Sequence, residues 1–382
     1  MGIAAIGLAL LTGCNNQGGD QGQAPAGSPE IQIGHYGSLT GSEATFGKST
    51  SNGIRLAIKE FNDAGGLTGR KIGLVEYDTQ GKTEEAGTAV TRLCTKDRVT
   101  AILGEVASSL SLAGAPVAQE NGIPMITPSS TNAKVTKVGD MIFRVCFLDS
   151  FQGYAMAKFA TDTLKAKKVA TLHDQSQAYS TGLKDDFKNA FAAAGGAIVT
   201  EQAYNRGDPD FSAQLSNIKG YNPDAIFVPG YYTDVGNISL QARKIGLNVP
   251  LLGGDGWDSE ELPKIAGPAI EGCFYTNHYA HDQPSKEVSE FVAKYKAAYD
   301  GRIPDGLAAL GYDAAKLLFD AMGRATSLKG SDLRDAIAAT HGFKGVTGTI
   351  TIDENRNAKK SAVVLEMVGG QPVYRATIEP PQ

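Results

Sequence analysis

From Ile31 onward short apolar runs alternate with amphipathic stretches of period 3.6, and this rhythm constrains the fold more than any other feature of the chain. Ile31 to Tyr36, Ile72 to Tyr77, Thr100 to Leu103 and Pro124 to Thr127 read as buried strands. Between the first two, Ile54, Ala57, Ile58 and Phe61 fall on one helical face, and Gly65-Gly66 follows as a helix end requires. The second half repeats the scheme. Lys168 to Leu172, Ala197 to Tyr204, Ala225 to Val228 and Val249 to Leu252 read as strands, while Tyr179, Leu183, Phe187, Ala190, Phe191 and Ala194 form one helical face closed by Gly195-Gly196. Such alternation predicts the α/β class, with parallel sheets covered by helices on both faces. At 382 residues the chain exceeds what one hydrophobic core normally supports, so two similar lobes are expected.

The first residues differ from the rest. Gly2 to Leu11 is almost wholly apolar, too short to span a bilayer but fitting a signal-peptide core. Leu11-Thr12-Gly13-Cys14 then resembles a bacterial lipobox, which implies cleavage before Cys14, lipidation of its thiol, and a flexible tether over 15–30. No Lys or Arg precedes the apolar run, which points to a start further upstream. A net charge of −5 without any basic block argues against nucleic acid as a partner. Of the remaining cysteines, Cys94, Cys146 and Cys273 each lie in or beside an apolar segment and read as buried thiols, with a Cys94–Cys146 bridge left open.

Three loops carry the chemistry: Gly104-Glu105-Val106-Ala107-Ser108-Ser109, Pro128-Ser129-Ser130-Thr131 and Gly253-Gly254-Asp255-Gly256-Trp257. Each follows a predicted strand, and in open parallel sheets ligands sit beyond the carboxyl ends of strands. The first two loops gather hydroxyls and free N–H groups where a helix begins, with Ser108 as its expected N-cap. The third supplies a carboxylate. Together they suit a zwitterion: the hydroxyls meet an amino acid's carboxylate, Asp255 meets its ammonium, and exposed aromatics at the strand ends, Tyr179, Tyr231 and Trp257, wall its side chain.

Catalytic patterns are thin. His173-Asp174 lacks a nucleophile elbow, Gly37-Ser38-Leu39-Thr40-Gly41 is neither a P-loop nor a dinucleotide fingerprint, and Asp208-Pro209-Asp210 reads as a helix start. His278-x-x-His281-Asp282 reads as a solvated loop rather than a metal site. Neither metal nor cofactor is expected, and no enzymatic activity.

At these loops the chain resembles the periplasmic substrate-binding proteins of branched-chain amino acid ABC transporters, the Leu/Ile/Val-binding type. The resemblance runs from Ile31 to the C-terminus and rests on Gly37-Ser38-Leu39-Thr40-Gly41, Asn62-Asp63-Ala64-Gly65-Gly66-Leu67, Pro124-Met125-Ile126-Thr127-Pro128-Ser129-Ser130-Thr131, Asp149-Ser150-Phe151-Gln152-Gly153 and the Asp255 loop, in that order. It implies a type I periplasmic binding protein fold, a Venus-flytrap of two lobes joined by three crossovers near Asp149-Ser150, Asn277-His278 and Gly345-Val346. The lobes would then comprise 31–149 with 278–345, and 150–277 with 346–382. It implies a carboxylate-binding role for Ser108, ligand contacts from Thr131, Val106 and Ser129, pocket aromatics at Tyr179, Tyr231 and Phe46, and an ammonium-binding role for Asp255, where some members carry glutamate. The disulfide of the enterobacterial type is expected to be absent, since its cysteines would fall near Gly81 and Ala107. The implied function is an exported, lipid-anchored receptor that passes a free L-amino acid, branched-chain or otherwise apolar, to a membrane-embedded ABC permease. The competing reading is a sensor of amides, urea or aromatic acids on the same fold.

Overall fold

The apolar runs of the first third become the strands of a wholly parallel sheet. In the computed structural model, which describes residues 1–2 and 30–381, the chain runs through β1 (Ile31–Gly37), α1 (Ala44–Asp63), β2 (Ile72–Asp78), α2 (Thr83–Thr95), β3 (Ile102–Leu103), α3 (Ser108–Glu120), β4 (Met125–Thr127) and β5 (Ile142–Arg144). Their order in the sheet is β2-β1-β3-β4-β5. The expected signal peptide, the tether and Cys14 lie outside the described residues. A second layer system follows, with α4 (Asp149–Asp162), β6 (Lys168–Asp174), α5 (Ala178–Ala193), β7 (Ala197–Tyr204), α6 (Ser212–Gly220), β8 (Ala225–Phe227), α7 (Tyr232–Lys244), β9 (Leu251–Gly253), α8 (Glu261–Ala266) and β10 (Phe274–Asn277). The chain then returns to the first lobe as α9 (Lys286–Ala298), α10 (Gly306–Arg324), α11 (Gly330–Ala338) and the short hairpin β11 (Phe343–Gly345) with β12 (Gly348–Ile350). It ends in β13 (Ala362–Val368) and β14 (Gln371–Ile378), which complete a second sheet of order β14-β13-β10-β9-β8-β6-β7.

The second sheet is mixed. β6 to β10 pair in parallel, as the alternating pattern requires, but β13 runs antiparallel to β10 and turns through Gly369 and Gly370 into β14. Both glycines have positive φ (58° and 72°), which lets a two-residue connection follow the twist of its strands.

The two Gly-Gly helix ends have the same geometry. After α1, Gly66 N donates to Phe61 O (2.9 Å) and Gly65 N to Asn62 O (3.1 Å). After α5, Gly196 N donates to Phe191 O (2.9 Å) and Gly195 N to Ala192 O (3.0 Å). Both pairs form the Schellman arrangement, which needs a left-handed residue that glycine supplies without strain (Gly65 φ 101°, Gly195 φ 85°).

Neither lobe is one continuous segment. Ile54, Ala57 and Ile58 of α1 share a core with Ile31 and Ile33, Leu310, Leu317 and Leu318 of α10, and Ile350, Ile352 and Ala358 further on. This last group corrects the third crossover: 346–358 still packs with the first lobe, and the chain passes to the second between Ala358 and Ala362 rather than near Gly345-Val346. The boundary that the resemblance implied thus falls about a dozen residues early, because Ile350, Ile352 and Ala358 are still buried in the first lobe's core. Cys94, Cys146 and Cys273 are buried and unpaired. Among the described residues no helix is long and apolar enough to cross a membrane.

The backbones of α1 and α10 meet closely. A Cβ on Gly53 would stand 2.0 Å from Ala308 O, and one on Gly311 would stand 2.5 Å from Thr50 O. Alanine in a helix interior ordinarily gains about 1 kcal/mol over glycine. Here overpacking outweighs that gain, so Gly53→Ala is expected to lower stability by about 1–3 kcal/mol in urea unfolding, and a stabilised variant would contradict the close approach.

Candidate functional site

All strands of a parallel sheet end on the same side, so the loops after β3 and β4 rise together from the first lobe, and those after β6, β8 and β9 from the second. They meet across one gap. Phe46, Val106, Ser129 and Leu307 line it from the first lobe, and Tyr179, Tyr231, Asp255 and Gly256 from the second.

The first-lobe loops are braced by a residue that sequence reasoning passed over. Glu105 is fully buried; its Oε1 accepts from Ser38 Oγ (2.9 Å) and Thr79 Oγ1 (3.0 Å), and its Oε2 from Ala107 N (2.8 Å). Its carbonyl accepts from Thr127 Oγ1 (2.6 Å) and Ser130 Oγ (3.0 Å). Burial raises its pKa, opposed by those hydrogen bonds. Ser130 therefore knits two loops together instead of facing the gap. Arg144, equally buried, fixes the loop from below by donating to the carbonyls of Ser130 and Asn132, the latter at 2.8 Å.

Three hydroxyls on these loops keep a proton to donate. The hydroxyls of Ser129 and Thr131 are buried without a partner. Ser108 is the first residue of α3, with Ala107 as the N-cap, which corrects the expected capping role. Its Oγ accepts from Asn132 N (3.3 Å), so its own proton is available to donate.

On the facing lobe, Asp255 lies in a single 3₁₀ turn, Asp255–Trp257. Gln152 Nε2 donates to Oδ1 (2.7 Å), and His278 Nε2 lies 2.9 Å from Oδ2. A carboxylate accepts about four hydrogen bonds, so both oxygens retain lone pairs. His278 corrects an expectation, since it is fully buried and not in a solvated loop. It stacks on Phe147 with ring centroids 3.7 Å apart. Burial lowers its pKa, opposed by Asp255, so the neutral ring donates through Nε2 and leaves Nδ1 without a partner. Asp149 is also buried with both oxygens unpartnered. Burial pushes its pKa well above the usual carboxyl range, and negative Asp255 adds to the rise.

The aromatics are buried rather than exposed. Tyr179 and Tyr231 stack in parallel at 5.3 Å, and Phe46 meets Tyr231 edge-on at 5.4 Å. Gly256 N donates to Tyr179 Oη (3.1 Å), and the turn is tightly packed there, since a Cβ on Gly256 would stand 2.8 Å from Gly230 O and 3.1 Å from the Tyr179 ring. Trp257 lies beneath the turn, its ring against Gly253 and its Nε1 donating to Val228 O (2.9 Å), and it does not border the gap. The indole supports the Asp255 turn from the core side.

The gap itself measures about 10 Å3, the room of one water. A cavity of about 580 Å3 lies beside it, walled in part by Asp258 and Asp305. Size alone would favour the larger space, but its buried acids are satisfied. Asp258 accepts from Tyr275, Asn277 and Gly306 N, and Asp305 from Ser49 and Ala308 N. Ser129, whose hydroxyl is unpaired, borders the small gap instead, and Gln152 and His278, each with an unpaired polar atom, hold the Asp255 carboxylate on its other side; Ser108 and Thr131 stand on the same loops as Val106 and Ser129 without lining it. Admitting a small molecule requires the facing lobes to part. Among the described residues no group of His, Cys, Asp or Glu could hold a metal ion.

Residues 30–371 match the family model described as periplasmic binding protein. The chain belongs to the periplasmic binding protein family. It is 32% identical to the leucine-specific-binding protein of Salmonella typhimurium over 334 residues, 86% of this chain and 88% of that one. The crystal structure of a leucine-binding protein LivK from Thermotoga maritima superimposes with a TM-score of 0.88 at 42% identity, covering 92% of this chain and 99% of that one. The substrate-binding protein LivJ of a branched-chain amino acid transporter from Streptococcus pneumoniae, solved with isoleucine, gives 0.87 at 33% identity, covering 92% and 100%. The two parallel-sheet lobes are those of type I periplasmic binding proteins.

Because the folded state holds His278 below its ordinary value of 6.5, stability from its neutral burial is present above that value and is lost as pH falls through it, when the unfolded chain takes up the proton more readily. Thermal unfolding between pH 7.5 and 5.5 is expected to show a falling midpoint whose slope is shallower in His278→Gln. Equal slopes would mean that the ring is not held neutral.

Proposed function

We propose that this chain is an exported receptor that binds a free L-amino acid with an apolar side chain between its lobes and presents it to a membrane-embedded ABC permease, itself performing no chemistry. The observation that carries the reading is the opposition, across one gap, of the unpaired Ser129 hydroxyl on one lobe and the Asp255 carboxylate on the other, with the unpaired Thr131 hydroxyl and the free proton of Ser108 on the same first-lobe loops. A carboxylate on the first lobe and an ammonium on the second satisfy both sets. The amide N–H groups in the first turn of α3 add donors for the same carboxylate.

Side-chain preference follows from the walls. Phe46, Tyr179, Tyr231 and Leu307 offer aromatic and aliphatic surface and no spare charge, which suits leucine, isoleucine or valine. The relatives named for leucine and the neighbour solved with isoleucine support this class. Closure then works by differential affinity: a ligand seated on the first lobe gains Asp255 and Tyr231 only when the lobes meet, and only that state receives the extra contacts. In this reading Cys14 carries the lipid that keeps the receptor at the membrane.

Calorimetry on the chain lacking residues 1–29 tests the site. L-Leucine, L-isoleucine or L-valine is expected to bind with micromolar affinity or better. Asp255→Ala and Ser108→Ala should each weaken binding at least tenfold while the unfolding midpoint stays within a few degrees. Benzoate, which has no ammonium, should not bind. Unchanged affinity in both variants would remove the assigned site, and binding of benzoate that ignores Asp255→Ala would favour an aromatic-acid sensor.

A further inference from the structure

At the mouth of the cleft, away from the ligand gap, one guanidinium joins the lobes. Arg206 follows β7 on the second lobe. Its Nη1 donates to Gly81 O (2.8 Å), and its Nη2 donates to Ser42 Oγ (3.0 Å) and lies 2.8 Å from Glu43 Oε1, all three on the first lobe. Nearby, Thr233 Oγ1 of the second lobe donates to Ser42 O (2.7 Å). The Arg206 backbone is anchored on its own side, where its N–H donates to Asp174 Oδ1 (3.2 Å) and that of Gly207 to Asp234 Oδ1 (3.3 Å).

The partner acid is unusual in being covered. Glu43 is 2% exposed, and its Oε2 has no partner. Burial, reinforced by Glu105, Asp234 and Asp174, pushes its carboxyl up to about 8, with Arg206 the one opposing influence among its main neighbours. Closing the lobes therefore places an acid out of water, and Arg206 offsets that cost. Gly81 makes room for the contact, since a Cβ there would stand 2.5 Å from Nη2.

We infer that Arg206 is a closure latch, a positioning residue that touches no ligand and sets how long the ligand stays by holding the second lobe against Glu43, Ser42 and Gly81 of the first. None of these four residues lines the ligand gap. Their effect on affinity must therefore pass through the fraction of molecules that are closed, because apparent affinity scales with that fraction. The inference rests on the receptor reading for its ligand but not for its geometry.

Three measurements separate the latch from the ligand assignment. Thr45 Oγ1 and Ser259 Oγ lie 3.0 Å apart on opposite lobes, so a Thr45→Cys/Ser259→Cys pair reports closure through its rate of disulfide formation in the absence of ligand. Adding Arg206→Ala is expected to slow that cross-linking at least fivefold, with Arg206→Lys between, since an ammonium keeps the charge but loses the fork. Small-angle scattering of ligand-free Arg206→Ala, without the cysteines, should give a larger radius of gyration than the native chain. With L-leucine in stopped flow, Arg206→Ala should raise the dissociation rate about tenfold and change the association rate less than twofold. Unchanged cross-linking, scattering and dissociation would overturn the latch, as would a lowered unfolding midpoint with no change in those three. If neither protein binds L-leucine or its branched-chain analogues, the ligand assignment fails, and the ligand-free measurements still decide the latch.

Discussion

A buried carboxyl group organises this site without touching the gap. Glu105 gathers donors from the ends of β1 and β2, from its own loop, and through its carbonyl from the end of β4 and the loop beyond it. Chains of hydrogen bonds inside a low-dielectric interior strengthen one another, and a half-satisfied network is costly. Once Ser38, Thr79, Thr127 and Ser130 are committed to Glu105, the geometry of the 104–108 and 128–131 loops is settled, and the residues between them are left with groups pointing elsewhere. The free hydroxyls of Ser129 and Thr131 follow from where Ser130 is used.

Polar satisfaction, more than volume, distinguishes the small gap from the larger cavity beside it. Asp258 and Asp305 show that this chain can bury acids with every oxygen engaged. Leaving Asp149, Gln152 and His278 with unmet atoms a short distance away costs stability that a well-packed core would not sacrifice. A small polar guest seated between the lobes would relieve that dissatisfaction.

The architecture was legible in the sequence because its cause is local. Strand runs, 3.6-period faces and Gly-Gly helix ends report the parallel sheets directly, and β13 with its Gly369-Gly370 turn could have been read the same way, from Ala362-Val363-Val364-Leu365 and the paired glycines. The loops that carry Ser108, Ser129, Thr131 and Asp255 were legible because they follow strands. What escaped depends on distant partners. His278 looked like part of a polar loop because the four residues of β10 give little warning that it ends against Phe147 and Asp255. Gln152 was noticed only as part of a resemblance, since nothing beside it in sequence says that Asp255 lies opposite. Trp257 sits among small polar residues that suggest exposure, whereas the carbonyl that receives its indole, Val228, belongs to another strand. Glu105 was given no role of its own because its donors Ser38, Thr79, Thr127 and Ser130 lie far from it in sequence.

The threading of the chain between lobes constrains how it is made. The first lobe's core needs α10 and the residues through Ala358, and the second sheet is unfinished until β13 and β14 arrive. Neither half can close its apolar surface while the last few dozen residues are still on the ribosome, and contacts of such long sequence separation form slowly. A nascent chain of this kind stays unfinished nearly to its end, which is the condition in which a polypeptide can still be threaded through a narrow translocation channel.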